Sequence, residues 1–378
     1  MSDRCDVVII GGGIAGAGAG YELARAGKTV VLLEREGQPG YHTTGRSAAL
    51  FAETYGNAPI RALTVASRDF LMNPPAGFSD VPILTPRGAL HIGSTAQADE
   101  LDGKYEDMRK LVPSVKRLGA AETHALMPVL KAEAVSGGAL AEPDAMDIEV
   151  HALHNGLLRG MTAAGGKLVT DAEVTGLQQA AGGDWQIETS KGVFTAPVVI
   201  NAAGAWADVV GKMAGAQPIG LQPKRRTAVT FDPPAGTDIH AWPMVIDADE
   251  EWYFKPDAGR ILLSPCDETD SEPTDAQPDE MDIAIAVDRL ETVSSLQVRR
   301  LAAKWAGLRS FVSDRTVVCG FDKQKSGFFW LAAQGGYGIQ TSAAMARVSA
   351  ALAQGRALPQ DVANLGLTEQ DLSPNRLR

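Results

Sequence analysis

The sequence has few cysteines, a shortage of basic charge and no long apolar run, and each shortage excludes a class of protein. Cys5, Cys266 and Cys319 are too scattered for a disulfide framework or a C-x-x-C metal site, which favours a reduced, cytoplasmic protein. Lys and Arg number 35 against 46 Asp and Glu, a formal net charge of −11, so neither nucleic acid nor an anionic membrane surface is an expected partner. No apolar run reaches about 18 residues, so no transmembrane segment is predicted.

Glycine, by contrast, is abundant, at 40 of 378 residues, where average composition would give roughly 26. There is no G-X-Y period, so a collagen-like chain is excluded and the excess must lie in special turns. With 45% hydrophobic and 21% charged residues, the chain has the composition of a folded globular protein rather than a disordered one. Its length suits about two domains.

The N-terminal segment has the order strand, glycine turn, helix, strand, acid. Asp6–Ile10 is a short β-branched run typical of a buried parallel strand. The turn G-G-G-I-A-G at Gly11–Gly16 leads into a helix that Gly27 ends, and Thr29–Leu33 is a second buried strand before Glu34. A signal peptide shares the apolar run, but the strand and turn explain it better.

Each part of this order suits dinucleotide binding. Gly11 permits the tight turn, Gly13 lets a pyrophosphate approach the backbone, and Gly16 allows close packing of helix on strand. The helix N-terminus offers free N–H groups to phosphates. Glu34 stands about 20 residues beyond the glycines, where an acid accepts hydrogen bonds from a ribose diol. An acid there disfavours NADP, so FAD or NAD is expected.

The loop after Glu34 favours FAD. A simple NAD domain would continue with regular strand and helix alternation, whereas Gly37–Ser47 is polar, irregular and rich in glycine. Such loops in compact domains are usually functional. Thr44, Arg46 and Ser47 are candidates to meet a pyrophosphate or a second ring system.

The rest of the chain mixes helical and antiparallel patterns. Helices are predicted over 59–73, 97–111, 120–126, 146–164, 205–214, 282–294 and 338–354, and strands over 81–92, 173–177, 185–189, 193–195, 198–201 and 328–333. Residues 219–231 and 243–264 alternate with period two, which indicates an antiparallel sheet. The fold class is therefore α/β, with a Rossmann-like domain and an antiparallel-sheet domain interleaved along the chain.

Five stretches carry a resemblance to a known family. They are V-V-I-N-A-A-G-A-W (Val198–Trp206), G-Y-H-T-T-G-R-S-A-A (Gly40–Ala49), L-Q-P-K-R-R (Leu221–Arg226), W-A-G-L-R-S-F-V (Trp305–Val312) and G-F-F-W-L-A-A-Q-G-G-Y-G-I-Q-T-S (Gly327–Ser342). With the N-terminal motif, they resemble the flavoproteins that include D-amino-acid, glycine and sarcosine oxidases. The longer stretches are most similar to the bacterial FAD-dependent D-arginine dehydrogenases.

The resemblance implies a D-amino-acid oxidase or glutathione-reductase-like architecture. An FAD-binding domain would comprise residues 1–80, 148–220 and 305–378, and a substrate-binding domain residues 81–147 and 221–304. It also implies extended FAD, held non-covalently because Cys319 lies past the stretch that matches the covalent cysteine of sarcosine oxidases. Gly336–Gln340 is predicted to open the last helix and to stabilise negative charge on reduced flavin.

The residues expected to contact FAD share these motifs. They are Gly11, Gly13, Ile14, Ala15, Gly16, Glu34, Arg35, Thr43, Thr44, Arg46, Ser47, Ala48, Val174, Ala203, Gly204, Trp206, Arg309, Gly336, Tyr337, Gly338, Ile339 and Gln340.

Two arginines in otherwise buried strands, Arg226 and Arg309, suggest an anion site, because arginine is rarely buried unpaired and binds carboxylates bidentately. Both match residues that clamp the substrate carboxylate in the family. The resemblance adds two tyrosines that close over the substrate, Tyr55 and Tyr253. It adds Gly336, whose backbone carbonyl accepts from the amine, with Gln340 one helical turn further on. It also adds an apolar pocket formed by Leu50, Ala89, Met244 and Ile246.

The implied reaction is hydride transfer from Cα of a D-amino acid to flavin, after which water hydrolyses the imine to a 2-oxo acid and ammonia. D-arginine dehydrogenases carry a glutamate where Ala89 stands and a histidine where Leu50 stands. We therefore expect apolar or neutral D-amino acids to be preferred over D-arginine, with a quinone or another carrier, unidentified, as electron acceptor.

Three alternatives remain open at this stage. An oxidase of the same fold would pass electrons to O2, and a related flavoenzyme would act on N-methyl amino acids or 2-hydroxy acids. The third alternative is a dinucleotide-binding sensor without catalytic activity, and the two arginines argue against it because a sensor needs no carboxylate clamp. No metal site is predicted, and His151 and His154, three residues apart on one helix, are expected on a solvated face.

Overall fold

A computed structural model describes residues 3–378. The helices are α1 (Ile14–Arg25), α2 (Ala58–Met72), α3 (Ala98–Leu111), α4 (Ala120–Leu126), α5 (Val150–Ala163), α6 (Ala207–Met213), α7 (Glu280–Val293), α8 (Ser342–Ala353), α9 (Gln360–Asn364) and α10 (Glu369–Leu372). The strands are β1 (Asp3–Arg4), β2 (Val7–Ile10), β3 (Val30–Leu33), β4 (Leu50–Phe51), β5 (Leu84–Pro86), β6 (Ala89–Gly93), β7 (Lys116–Leu118), β8 (Gly138–Glu142), β9 (Met146–Ile148), β10 (Lys167–Val169), β11 (Val174–Gln179), β12 (Trp185–Thr189), β13 (Gly192–Ala196), β14 (Val198–Asn201), β15 (Gln222–Phe231), β16 (Met244–Asp247), β17 (Tyr253–Asp257), β18 (Arg260–Ser264), β19 (Thr269–Asp270), β20 (Leu301–Phe311), β21 (Val318–Phe321) and β22 (Phe328–Ala332).

A six-stranded sheet lies at the centre of the nucleotide-binding part. Its order is β10-β3-β2-β14-β22-β21, and neighbouring strands are parallel except β21 and β22. Along β2, Val7 and Ile9 enter one core cluster, Val8 and Ile10 enter another, and all four are buried. This pattern is expected of a parallel strand covered on both faces. Helices α1, α5 and α8 cover one face, and the four-stranded sheet β1-β13-β12-β11 covers the other.

The predicted N-terminal order is confirmed, because β2, α1 and β3 occur where the pattern indicated. Two helix predictions were wrong at their starts. The segment 146–164 begins as β9, which pairs with β4 and β5, before α5 starts at Val150. The last helix starts at Ser342 rather than Gly338, because residues 335–341 form consecutive turns instead.

A nine-stranded sheet forms the second layer of the protein, in the order β19-β15-β18-β17-β16-β6-β8-β7, with β20 also paired to β15. It is not purely antiparallel as expected, because β16 runs parallel to β6. Strand β20 pairs with β15 along its length. Its residues 305–311 therefore belong with this sheet, and we move the proposed end of the substrate-binding segment from 304 to 311. The division into domains stays a proposal.

One face of the large sheet packs on α7 and the segment around Leu130, and together they form a separate core cluster. The opposite face of β6, β16 and β17 carries Ala89, Met244 and Tyr253, which border a cavity. Within residues 3–378, no helix combines the length and apolar character needed to span a bilayer. The cavity between the two sheets is where the candidate site lies.

Candidate active site

The glycine turn after β2 leaves no room for side chains. Gly11 has φ +109°, and a Cβ there would lie 2.3 Å from the carbonyl oxygen of Ala202. A Cβ on Gly16 would lie 2.0 Å from the carbonyl oxygen of Gly11. Both contacts are with backbone, which cannot move aside as a flexible side chain can. The turn therefore requires glycine at both positions, as the sequence predicted.

Glu34 lies buried at the end of β3, beside this turn. Its Oε2 accepts a hydrogen bond from the Gly12 N–H at 2.9 Å, and its Oε1 accepts one from the Glu36 N–H at 2.9 Å. The carboxylate is thus fixed where a ribose diol is bound in dinucleotide folds. Near it, the Arg35 guanidinium lies 4.7 Å from the Trp206 ring centroid.

His154 contradicts the expectation of a solvated face. It is 5% exposed, and its Nε2 lies 2.8 Å from the carbonyl oxygen of Gly12 in the nucleotide turn. Burial lowers its pKa, so the neutral ring donates through Nε2–H. The signal was present in the sequence, because Leu157, Leu158 and Met161 follow at i+3, i+4 and i+7 and place His154 on the buried face of α5. His151 is exposed, as expected.

The polar loop 37–47 lies against the start of α1, but its arginine faces elsewhere. Thr44 Oγ1 accepts a hydrogen bond from the Ile14 N–H at 3.0 Å. The Arg46 guanidinium donates to the carbonyls of Ala276 and Ala306, at 3.0 Å each, and pairs with Asp275. Arg46 nevertheless lines the cavity, and its contact with a pyrophosphate or a second ring system stays a prediction. Its contacts within the protein tie the loop to β20 and to the segment before α7.

A cavity of about 860 Å³ runs from the start of α1 to the large sheet. It brings together most of the predicted site residues: Gly13, Ile14, Ala15, Thr43, Thr44, Arg46, Ser47, Ala48, Leu50, Tyr55, Ala89, Gly204, Arg226, Met244, Ile246, Tyr253, Arg309, Gly336, Tyr337, Gly338, Ile339 and Gln340. The others lie outside its lining, at the nucleotide turn and the adenosine end of the predicted site: Gly11, Gly16, Glu34, Arg35, Val174, Ala203 and Trp206.

Arg309 is a half-buried cation that lines the cavity. Its hydrogen bond in residues 3–378 is a long one to the Tyr55 hydroxyl, 3.4 Å from Nη1, and no described carboxylate lies within ion-pair distance. Burial acts to lower the pKa of its guanidinium, but Tyr55, Tyr253 and Cys266 nearby raise it above the ordinary value. The guanidinium therefore stays charged and keeps unused donors for an anion.

Arg226, the second predicted clamp residue, already has partners. Its Nε donates to the carbonyl of Asp267 at 2.9 Å, and its Nη2 lies 3.5 Å from Glu268 Oε1. Glu268 also forms a bidentate pair with Arg315, at 2.7 and 3.1 Å. The pairing of Glu268 with Arg315 beside Arg226 could not be predicted from the sequence, because the two residues come from loops far apart in the chain. Arg226 is thus partly neutralised, which leaves Arg309 as the stronger anion-binding group.

The turns 335–341 border the cavity opposite the large sheet. A Cβ on Gly336 would lie 2.9 Å from Arg309 Nη1 and 3.2 Å from the Tyr55 hydroxyl, so a side chain there would displace the ends of these two side chains. Gln340 is buried and its amide is already used, because Nε2 donates to Thr64 Oγ1 at 2.8 Å and Oε1 accepts from the Ala52 N–H at 3.4 Å. Gln340 nevertheless lines the cavity, and its contact with substrate stays a prediction.

A buried ion pair fixes the loop around Ala49 on the large sheet. Lys255, 4% exposed, places its Nζ 2.6 Å from Asp147 Oδ1 and 3.5 Å from the Ala49 carbonyl oxygen. The Arg87 Nε donates to the other oxygen of Asp147 at 2.6 Å. Such a pair holds geometry more than it adds stability. It keeps Leu50 at the cavity wall.

One face of the large sheet forms the wall of the cavity, and its side chains form two rows that run across the strands. Directly opposite residues in adjacent strands share a face. Tyr253 lies opposite Ile246, and Ile246 opposite His91, while Met244 lies opposite Ala89, and Ala89 opposite Glu142. Leu50, Ala48 and Ala52 complete apolar clusters with these side chains. The predicted pocket residues are therefore contiguous.

Glu142 is a buried acid that the sequence analysis missed. It is 2% exposed, and its Oε2 accepts a hydrogen bond from Thr54 Oγ1 at 2.7 Å. Burial raises its pKa from 4.5 to about 7, although the hydrogen bonds from Thr54 act in the opposite direction. Thr54 lines the cavity, whereas Glu142 lies behind it.

This raised pKa predicts a pH-dependent stability. The unfolded chain ionises Glu142 near pH 4.5 and the folded chain near 7, so the folded state loses stability as the pH rises between these values. Glu142→Gln is expected to be more stable than the parent at pH 8, by up to about 3 kcal/mol, and no more stable at pH 4. Thermal unfolding at both pH values checks this, with exposed Glu133→Gln as control. An equal difference at both pH values would contradict it.

The structure thus joins a dinucleotide-binding turn to a cavity that Arg309 lines without a carboxylate partner in residues 3–378. Residues 6–352 match the family model described as DAO, FAD dependent oxidoreductase. The chain belongs to this family. The residues at the turn fit FAD, because Gly13 and Ile14 at the start of α1 line the cavity, Glu34 is fixed beside the turn and the cavity continues beyond. FAD is therefore the cofactor.

Individual relatives agree with this assignment. The chain is 25% identical over 380 residues to the glycine oxidase of Geobacillus kaustophilus (strain HTA426), which covers 97% of this chain and 98% of that enzyme. It is 26% identical over 267 residues to the mitochondrial dimethylglycine dehydrogenase of Mus musculus, covering 70% of this chain but only 30% of that protein. The L-alpha-glycerophosphate oxidase of Mycoplasma pneumoniae with FAD bound has the same fold, at a TM-score of 0.84 and 18% identity over 93% of this chain and 95% of that one.

Proposed function

We propose that this protein is an FAD-dependent D-amino-acid dehydrogenase for apolar or neutral substrates. The observation that carries the proposal is Arg309, a charged guanidinium without a carboxylate partner in a cavity that begins at the nucleotide turn. A free α-carboxylate matches its unused donors. The proposal for D-amino acids in particular follows the sequence resemblance, with FAD held non-covalently.

The protein's part in the reaction is binding and orientation. Bound FAD would supply the hydride acceptor for Cα of the substrate. Arg309 would hold the carboxylate, assisted by Arg226, while the carbonyl of Gly336 would accept from the amine. Tyr55 and Tyr253 would cover the reacting carbon and keep water out. The imine that leaves then takes up water to give the 2-oxo acid and ammonia.

The side-chain pocket supports the proposed preference. Leu50, Ala89, Met244 and Ile246 form its apolar wall. Of the acids that line the cavity elsewhere, Glu250 lies 3.5 Å from Lys104 and Glu268 is paired with Arg315. Glu142 lies directly opposite Ala89 but is separated from the cavity by Thr54. The guanidinium of a bound D-arginine would therefore lack a charged acceptor, which would weaken its binding by about 1.5–3 kcal/mol.

N-methyl amino acids are the second candidate substrate class. The match to dimethylglycine dehydrogenase supports them, although it spans less than a third of that protein. A cavity with an open apolar wall suits a longer side chain better than glycine or its N-methyl derivatives. The use of O2 in place of a quinone or other carrier stays an alternative for the second half-reaction.

The first test is anaerobic mixing of the purified flavoprotein with D- and L-amino acids, sarcosine and dimethylglycine, followed by flavin absorbance. We expect fast bleaching by D-methionine, D-leucine and D-phenylalanine, and kcat/KM for D-arginine at least about tenfold lower. L-enantiomers should leave the flavin oxidised. Bleaching by the N-methyl compounds alone would overturn the proposal, and peroxide formed in air would identify an oxidase.

Restoring an acid at position 89 should restore D-arginine turnover. Ala89→Glu alone would place two carboxyl groups directly opposite each other in the sheet, which is destabilising. We therefore expect the double variant Ala89→Glu, Glu142→Gln to fold and to gain about 10- to 100-fold in kcat/KM for D-arginine. Glu142→Gln alone is the matched control and should leave D-arginine turnover low. Equal D-arginine kinetics in both variants would contradict the assignment of the pocket.

A further inference from the structure

His91 is the one imidazole of residues 3–378 that lines the cavity. It lies on β6, directly opposite Ile246, which in turn lies opposite Tyr253 beside Arg309. Two strand spacings separate Tyr253 from His91, a distance of about 10 Å. If the carboxylate of a substrate is bound at Arg309, its side chain would pack along Ile246 and its terminal group would lie at His91.

The His91 ring has unused hydrogen-bonding capacity. Its Nδ1 is fully buried and has no hydrogen-bond partner in residues 3–378. Burial lowers its pKa to about 4, and the nearby Lys104 acts in the same direction, so the ring is neutral at physiological pH. Lys104 is no partner for it, because its Nζ bonds to the Ala248 carbonyl and lies 3.6 Å from Glu100 and 3.5 Å from Glu250. Because Nδ1 is covered by protein, a ligand in the cavity would reach the ring at Nε2, for which residues 3–378 supply no hydrogen-bond partner either, and a hydrogen bond made there would favour binding.

We propose that His91 is a specificity-determining residue, which hydrogen-bonds a neutral polar group at the tip of an otherwise apolar substrate side chain. This rests on the proposed function and narrows its substrate class. D-tyrosine is the representative substrate, because its ring matches the apolar wall and its hydroxyl both donates and accepts. Lys104, Asp107 and Glu250 also line the cavity, and Lys104 and Glu250 lie within ion-pair distance of each other, so the neutral His91 ring is matched to a neutral polar group.

The test compares ligands that differ by one hydroxyl group. We expect kcat/KM for D-tyrosine to exceed that for D-phenylalanine by about three- to tenfold in the parent protein. In His91→Leu the two values should become equal, through loss for D-tyrosine and little change for D-phenylalanine. His91→Asn, which keeps a hydrogen-bonding side chain, should retain part of the preference.

A binding measurement separates this inference from the proposed reaction. 3-(4-Hydroxyphenyl)propanoate and 3-phenylpropanoate carry the same carboxylate and ring but no amine, so they cannot be oxidised. Their dissociation constants, from thermal shift, should differ by about three- to tenfold in the parent and not in His91→Leu. If no D-amino acid bleaches the flavin while this difference persists, the proposed function fails and the His91 site stands.

Two outcomes would overturn the inference. One is a parent protein that handles the hydroxylated and plain ligands equally, which would mean that water alone satisfies the imidazole. The other is an undiminished hydroxyl preference in His91→Leu. If that variant does not fold, the parent comparison and His91→Asn still decide the question.

Discussion

Arg309→Met is expected to lose about 100- to 1,000-fold in kcat/KM while the fold stays at least as stable as the parent. The loss follows from removal of the charged donors that bind the carboxylate, an interaction of about 2–5 kcal/mol in a sheltered site. The stability follows because Arg309 has no carboxylate partner in residues 3–378, and only a long hydrogen bond to Tyr55. Replacing Arg309 by an apolar side chain of similar length therefore breaks no ion pair within residues 3–378.

Steady-state kinetics and thermal unfolding of the same preparations check both halves of this prediction. Arg309→Lys keeps the charge but not the bidentate fork, so it should fall between parent and Arg309→Met. Arg299→Met, at an exposed position, is the matched surface control and should change neither quantity. A variant that loses activity only because it unfolds would assign Arg309 a structural role and refute the anion site.

Gly11→Ala is expected to abolish FAD retention and to destabilise the protein by about 3–5 kcal/mol. The added Cβ would lie 2.3 Å from the Ala202 carbonyl oxygen, and φ of +109° is strained for alanine. The backbone of the turn would have to move, and with it the N–H groups at the start of α1. The purified variant should be colourless and should not take up added FAD.

Gly27→Ala supplies the matched control for this substitution. Gly27 also has positive φ, at +80°, but a Cβ there meets nothing within 4 Å. It should therefore cost only the strain of a left-handed alanine, roughly 1 kcal/mol, and retain FAD. Equal FAD loss in both variants would show that backbone strain, rather than close approach at the turn, explains the effect.

Local pattern was enough to predict the nucleotide-binding part. Residues 7–33 are contiguous in the chain, so the strand and helix periods and the glycine spacing determine them together. The start of α8 was missed because residues 335–341 form helix-like turns, whose hydrogen bonds a sequence pattern does not distinguish from a helix. His154 was missed although its spacing was informative, because its polarity was given more weight than its position.

The electrostatics of the site could not be predicted from the chain alone. Arg46 and Arg226 both line the cavity, but their partners Asp275 and Glu268 come from loops distant in sequence. Only the three-dimensional contacts show that Arg46 and Arg226 have a carboxylate within ion-pair distance and that Arg309 has none in residues 3–378. The same holds for Glu142, whose protonation is decided by its burial and by the hydrogen bond from Thr54.

Residues that would bind the reacting end of the substrate and residues that would select its side chain lie on different strands of the cavity wall. In the proposed function, Tyr253 on β17 would belong with the carboxylate clamp, Ile246 on β16 would contact the middle of the substrate side chain, and His91 on β6 would lie at its end. Each position is a separate residue on a separate strand, about 4.8 Å from the next. A single substitution on β6 can therefore change which molecules are accepted without disturbing the oxidation step. Such a wall is readily adapted, in evolution or in the laboratory, to new side-chain lengths and polarities.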